Sequence, residues 1–214
     1  MLASRNLREI IADMPRVSRK QAEQHHNDIL QAAARLFREH GIDGVSLPGV
    51  MAEAGLTHGA FYGHFASKNT LAAEACNLTF EECRRRYDEL REKHGADRNA
   101  MRREFVTLYT SKPHRDNPGV GCPAPTLGAD IARKSGCAEV RETFATGFDE
   151  LINEMASFMS RPRSSTRREE TLASIAMLAG GILLARATAG HPISDEILDS
   201  VRHALIGRTP DARR

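Results

Sequence analysis

Between Lys20 and Leu205 the apolar residues return every three or four positions, and nowhere do they alternate convincingly in the period-two manner of a half-buried strand. Ile29, Leu30, Ala33, Leu36 and Phe37 make the first such stripe. Val140, Phe144, Phe148, Leu151, Ile152 and Met155 make the strongest. A chain patterned this way buries its stripes helix against helix. Aromatics are only 5% of the 214 residues and Trp is absent, so the core must come from Ala, Leu, Ile, Val and Met, which suit packed helices. The expectation is an all-α fold of nine helices, with no sheet and no internal repeat.

Helix punctuation divides the chain. Gly41 ends a helix that starts at Lys20, and Ser46 is placed to cap a short second one. Gly55-Leu56-Thr57 reads as a tight turn, with Thr57 capping a third helix from His58 to Phe65. Ser67 caps a long fourth, carrying Leu71, Ala75, Leu78 and Leu90. A helix follows from Asp97 to Tyr109. Lys112 to Pro125, rich in Pro and Gly, reads as a loop or broken helix. Helices are then expected over Leu127–Arg133, Glu139–Met159 and Glu170–Ala189, the last stopped by Gly190-His191-Pro192, with a final one from Ile193 or Ser194. Arg161 to Arg168 reads as a basic linker.

A formal net charge of +2 is too small to argue for nucleic acid by itself, so any such reading needs a local motif. The four cysteines lack C-x-x-C spacing, which fits a reduced cytoplasmic chain. The longest apolar run, Ile175 to Ala189, is broken by Gly180, Gly181 and Arg186 and reads as too short to span a membrane. Met1 to Asp13 lacks the apolar core and cleavage site of a secretory signal, and Met14 is a second plausible start. No His pair stands at the i,i+4 spacing of a metal site, and neither metal nor cofactor is expected.

The local motif lies between Gly41 and Lys68: short helix, Gly-containing turn, short helix. Two helices meeting steeply need a tight corner and a small shared plug, for which Gly55 and the trio Val50, Leu56 and Phe61 are suited. The second helix then offers its leading end outward. Thr57, His58, Gly59, Ala60 and Tyr62 are small or polar there, which allows close approach to base edges. An ordinary helical hairpin within a bundle is the plainer reading of such a pair taken alone.

The string ILQAAARLFREHGIDGVSLPGVMAEAGLTHGAFYGHFASK, Ile29 to Lys68, resembles the DNA-binding domain of the TetR/AcrR family of regulators. The likeness rests on the AA-x-LF-x-x-x-G helix, the AGLTHGAFYGHF region and the F-x-S-K exit, and it covers about the first third of the chain. It implies a three-helix helix-turn-helix domain over residues 20–68, preceded by a flexible arm over 1–19. A helical effector-binding and dimerisation domain would occupy 69–210. It implies DNA contacts by Thr57, His58, Gly59, Tyr62 and His64. Ser46, Tyr62 and Lys68 would meet phosphates, and Arg16, Arg19 and Lys20 would form a basic arm. The implied function is a homodimeric repressor, released from palindromic operator DNA by a small molecule.

Beyond the motif, Met101, Phe105, Tyr109, Leu127, Ile131, Phe144, Phe148 and Ile152 could enclose an apolar effector cavity between helices, with Tyr109 its polar anchor. The same residues would serve equally as ordinary core. Cys122, in Gly121-Cys122-Pro123 just before a helix, could have a lowered pKa and meet the effector; its plainer reading is a small buried residue. Cys137 is a conceivable partner for it, whereas Cys76 and Cys83 read as packing residues. Leu172, Ile175, Ala176, Ala179, Gly180, Leu183, Leu184 and Ala187 give the penultimate helix a broad apolar surface for a homodimer built from the last two helices. Gly180-Gly181 allows close approach of a partner helix or of a neighbour in the same chain. Two other functions compete. A thiol-dependent enzyme or sensor would use Cys122 but lacks a Gly-rich phosphate loop and a nearby His base. An architectural DNA protein would leave the large second domain without a task.

Overall fold

A computed structural model of the chain describes residues 19–133, 138–160 and 165–207. Arg16, Cys137, the alternative start at Met14 and the first half of the basic linker, residues 161–164, lie outside the described residues. Within them the chain forms nine α-helices and two short 3-10 helices, and no strand. The α-helices are α1 (Arg19–His40), α2 (Leu47–Glu53), α3 (Lys68–His94), α4 (Arg98–Tyr109), α5 (Lys112–Asp116), α6 (Pro123–Arg133), α7 (Ala138–Met159), α8 (Arg167–Ala187) and α9 (Pro192–Ile206). The 3-10 helices are His58–Gly63 and Pro118–Val120.

Two details differ from the sequence expectation. The segment after Gly55 is a 3-10 helix ending at Gly63 rather than an α-helix to Phe65, with Ala60 and His64 amides donating three residues back to Thr57 and Phe61. Two glycines in six residues leave too little α propensity for the longer form. The Pro-rich stretch contains the short α5, capped by the Ser111 hydroxyl, and α6 begins four residues earlier than expected, at Pro123. Proline at the first helical position loses no hydrogen bond, so prolines that looked like breakers here start helices.

Ser46, Ser67 and Asp97 each accept a backbone amide at the start of α2, α3 and α4. Thr57 has the extended backbone of a cap but no capping side-chain bond. Gly55 sits at φ +70°, where a side chain would be strained, and turns α2 into the 3-10 helix.

One apolar core runs through the molecule. Ile29, Ala33 and Phe37 of α1 meet Val50, Met51 and Phe61 at one end. Phe80, Leu151, Ile152, Met155 and Leu178 fill the middle of the α3–α7–α8 stack. Gly147 lets α7 close on Phe80, since a methyl group there would lie 2.5 Å from its ring. Gly181 does the same between α8 and Val201 of α9, at 2.7 Å.

α8 corrects the membrane expectation. Its mean hydropathy of 1.4 over an 18-residue window makes it long and apolar enough to cross a membrane by length and composition. Ile175, Leu178 and Ile182 are buried against the rest of the bundle. Arg186 ties its end to the Arg115 and His114 carbonyls at 2.9 Å each.

Candidate DNA-binding face and effector cavity

Burial separates plug from face in the helix-turn-helix. Val50, Met51 and Phe61 are completely buried and Leu56 is half-buried, so the two short elements share a dry contact. Thr57, His58, Gly59 and Tyr62 are exposed, with Tyr62 at 68%, a value no core aromatic reaches. Nothing stands within 4 Å of a side chain built at Gly59 or Gly63, so this edge is open to solvent. Ser46 and Ser67 are exposed as well. The Ser46 hydroxyl keeps its hydrogen for an outside acceptor while its oxygen caps α2, whereas the Ser67 hydroxyl also meets the Thr70 hydroxyl at 3.0 Å. Lys68 is half-buried, and Arg19 and Lys20 are exposed at the start of α1.

The sequence reading missed a contribution from α1. His26 stacks on Phe65 at 4.5 Å and lies 3.3 Å from Glu74, while His25 approaches His64 edge-on at 6.1 Å. Partial burial, then the neighbouring His26 and His25, hold the His64 imidazole below its ordinary pKa. The i,i+1 pair at 25 and 26 carried no face signal by itself; only the crossing of α1 over the 3-10 helix joins it to His64.

Two links tie this unit to the larger bundle. Asp130 of α6 accepts the Ile42 amide at 2.7 Å. Arg38, buried at the end of α1, donates to Glu82 at 2.6 Å and to the Gly121 carbonyl at 3.3 Å. Gly119 presses against Arg35 and Glu39 so closely that a methyl there would lie 2.3 Å from a Glu39 oxygen.

Behind Gly121 lies a cavity of about 600 Å³ between α3, α4, α5 and the start of α6. Tyr87, Phe105 and Tyr109 form its apolar wall, and Cys83, His114 and Cys122 are its inner polar groups. Exposed Leu108, Val120 and Arg86 stand at its mouth. Three of the nine expected effector residues, Phe105, Tyr109 and Cys122, therefore line it. Met101, Leu127, Ile131, Phe144, Phe148 and Ile152 do not. Met101, Leu127, Ile131 and Ile152 are buried core, while Phe144 and Phe148 stack on each other at 5.9 Å, with Phe144 edge-on to Phe80. Helical periodicity marks buried faces without separating those around a void from those that fill one.

Cys83 is more than the packing residue expected. Its thiol hydrogen-bonds the Cys122 sulfur, and this bond, followed by burial, pushes Cys83 well up. Cys122 is lowered to about 7, chiefly by the Cys83 hydrogen bond and, against the cost of burial, by the Tyr109 hydroxyl and the Ala124 amide. Cys76, buried without such donors, rises to about 12. The Tyr109 hydroxyl is sealed from solvent and has no well-formed hydrogen bond, although the Cys122 sulfur is close enough to accept from it when ionised. Burial pushes Tyr109 up, so the phenol stays a donor. His114 is lowered to about 4 by burial. Its Nδ1 meets the Tyr109 carbonyl at 2.6 Å and so carries the hydrogen, leaving Nε2 as acceptor for the Cys122 amide at 3.4 Å.

On α8 the residues expected at a dimer contact divide. Leu172, Ala176, Leu183 and Leu184 are exposed, and Gly180 has open space beside it. Ile175 is buried in its own chain and is withdrawn from that surface, because it falls on the core-facing side with Leu178 and Ile182. Gly181 likewise serves the intrachain contact with Val201.

Comparison with known proteins agrees with this anatomy. A family model for bacterial regulatory proteins of the tetR family matches residues 29–75. The transcriptional regulator AcrR of Shigella flexneri is 36% identical over 66 residues, a match covering 31% of each chain. That is less than a third of AcrR's length. LmrA of Bacillus subtilis is 28% identical over 162 residues, covering 73% of this chain and 83% of LmrA. A TetR-family regulator from Agrobacterium tumefaciens superposes with a TM-score of 0.70 at 20% identity over 86% of this chain and 98% of its own. FadR of Bacillus subtilis, solved in complex with stearoyl-CoA, superposes with a TM-score of 0.63 at 14% identity over 86% of this chain and 99% of its own. The named relatives are HTH-type transcriptional regulators. Residues 29–75 thus match the DNA-binding region of the tetR family of bacterial regulatory proteins, and the helices beyond them follow the architecture of solved TetR-family regulators.

Proposed function

We propose that the chain is a dimeric repressor that binds a palindromic operator and releases it when a small molecule enters the cavity behind Gly121. The observation that carries the DNA-binding half is the exposed set Thr57, His58, Gly59 and Tyr62, anchored to the core by a completely buried Phe61. Its small residues admit base edges, and Ser46, Tyr62 and Lys68 are assigned to flanking phosphates. His58 and His64 extend the same edge, with Arg19, Lys20 and, outside the described residues, Arg16 as the basic arm. The exposed faces of α8 and α9 are assigned to the partner subunit, which would present two recognition edges to successive grooves.

The effector half rests on the cavity's apolar wall and on the Arg38 bond to the Gly121 carbonyl, one residue before the cavity-lining Cys122. A reduced cytoplasmic setting suits the free thiols Cys76, Cys83 and Cys122. The experiment is a titration of the purified protein against the DNA upstream of its own gene, with random duplex as competitor and salt as variable. A repressor gives a complex that outlasts competition, about 10³-fold or more above random duplex. Equal affinity for both duplexes with a steep salt dependence would refute operator recognition and point to an architectural role.

A further inference from the structure

The cavity holds chemistry that reversible binding does not need. Three donor groups stand around one sulfur: the Cys83 thiol, the Tyr109 hydroxyl, which has no hydrogen-bond partner of its own, and the Ala124 amide in the first turn of α6. Cys83, Tyr109 and Cys122 line a cavity whose mouth carries two exposed apolar side chains, Leu108 and Val120. The Tyr109 hydroxyl is buried and lacks a well-formed bond, so it can serve a second acceptor. His114, neutral and with its hydrogen committed to a carbonyl, adds no competing positive charge.

We propose that this cavity is a covalent binding site for small apolar α,β-unsaturated carbonyl compounds, with Cys122 as the nucleophile and Tyr109 as the donor to the carbonyl oxygen. The site deepens the effector reading above, since it gives the class of effector. The Cys122 sulfur bonds to the β-carbon of the acceptor, and the carbon–carbon π pair moves toward the carbonyl oxygen. Tyr109 stabilises that developing enolate by hydrogen bonding. The proton lost when the thiol ionised returns to the α-carbon. The product is a thioether, with no leaving group, oxidant or reductant required. Once the sulfur is a thioether it is a poor acceptor, which leaves the Tyr109 hydroxyl to donate to the ligand oxygen. The adduct fills the space beside Gly121, whose carbonyl holds Arg38 of the DNA-binding unit.

The probe is methyl vinyl ketone, applied to the full-length native protein and read by intact mass and peptide mapping. One adduct on Cys122 is expected, with a rate whose pH midpoint lies near 7. Cys76, held up at about 12, serves as the internal control and stays unmodified. Tyr109→Phe should slow the ketone reaction on the order of 10- to 100-fold, the cost of losing one oxyanion donor. The same variant should change the rate with iodoacetamide, which develops no enolate, by less than about threefold. An equal slowing with both reagents would overturn the role of Tyr109. Cys122 that reacts only after unfolding, or a Cys83–Cys122 disulfide in place of the adduct, would overturn the site. The adduct is read without DNA, so failure of operator binding in the unmodified protein is distinguished from failure of the site.

Discussion

The Arg38 guanidinium, at the end of α1, donates to the Gly121 carbonyl at 3.3 Å, one residue before Cys122. The same nitrogen holds Glu82 of α3 at 2.6 Å, and the two side chains are 3% and 16% exposed. The helix carrying the DNA-binding unit is thus fastened to the cavity wall by one buried charge with two acceptors on different elements. Removing it as Arg38→Ala leaves Glu82 with the half-exposed Arg86 at 3.8 Å, and a loss of about 3 kcal/mol, the lower end for a broken buried pair, is expected in denaturant unfolding. Arg38→Met combined with Glu82→Gln removes both charges and should recover most of that loss. If the link transmits the effector's signal, this double variant keeps its operator affinity while its response to effector falls. Unaltered release by effector in the double variant would rule the link out as the transmitter.

Tyr62 and Phe61 are adjacent in sequence and opposite in burial. Tyr62→Ala should weaken the operator complex at least tenfold while moving stability by less than about 0.5 kcal/mol, as an exposed substitution does. Phe61→Ala should cost about 3–5 kcal/mol of stability, because it empties the plug between α2 and the 3-10 helix. Operator titration paired with thermal melting of both variants separates the roles. A Tyr62→Ala protein that melts early but binds normally would return Tyr62 to the core.

The contrast between these neighbours was legible in the sequence, because a short helix over a tight glycine turn leaves only one side for a plug. The cavity was legible only in part. Tyr109 and Cys122 stand out by chemistry, and Phe105 shares a face with Tyr109. Cys83, however, is thirty-nine residues from Cys122, on α3, and no local spacing joins them. Phe144 and Phe148 look in sequence like cavity wall, yet Gly147 draws α7 onto Phe80 and closes that space. Ile175 misled for a related reason: α8 is apolar on several faces, so periodicity could not say which of them meets the bundle.

Gly180 and Gly181 are expected to answer substitution differently. A methyl at Gly181 would lie 2.7 Å from Val201, so Gly181→Ala should force α8 and α9 apart and cost about 1–3 kcal/mol, less any gain in helix propensity. Val201→Ala in the same chain should relieve the overlap. Gly180 has free space in the single chain, and Gly180→Ala should therefore raise intrinsic stability by up to about 1 kcal/mol. If a partner helix approaches there, the same change weakens the dimer, seen as a higher dissociation constant in sedimentation. A tighter or unchanged dimer would place the subunit contact elsewhere on α8.

Acid should destabilise the protein through His114 before its carboxylates are protonated. The imidazole is lowered from 6.5 to about 4, so the unfolded chain takes up the proton first. Stability is fully present above pH 6.5 and falls as pH drops from there toward 4, by about 1.4 kcal/mol per pH unit and about 3 kcal/mol in all. His64, also held low, adds to the fall in the same direction. The expected His114→Gln protein is less stable at pH 7, having lost the hydrogen bond to the Tyr109 carbonyl, but its unfolding free energy is flatter across this window. Denaturant unfolding at half-unit pH steps compares the two slopes. Equal slopes in the native chain and the variant would mean that His114 is protonated as readily in the fold as outside it, and the buried neutral imidazole beside Cys122 would have to be given up.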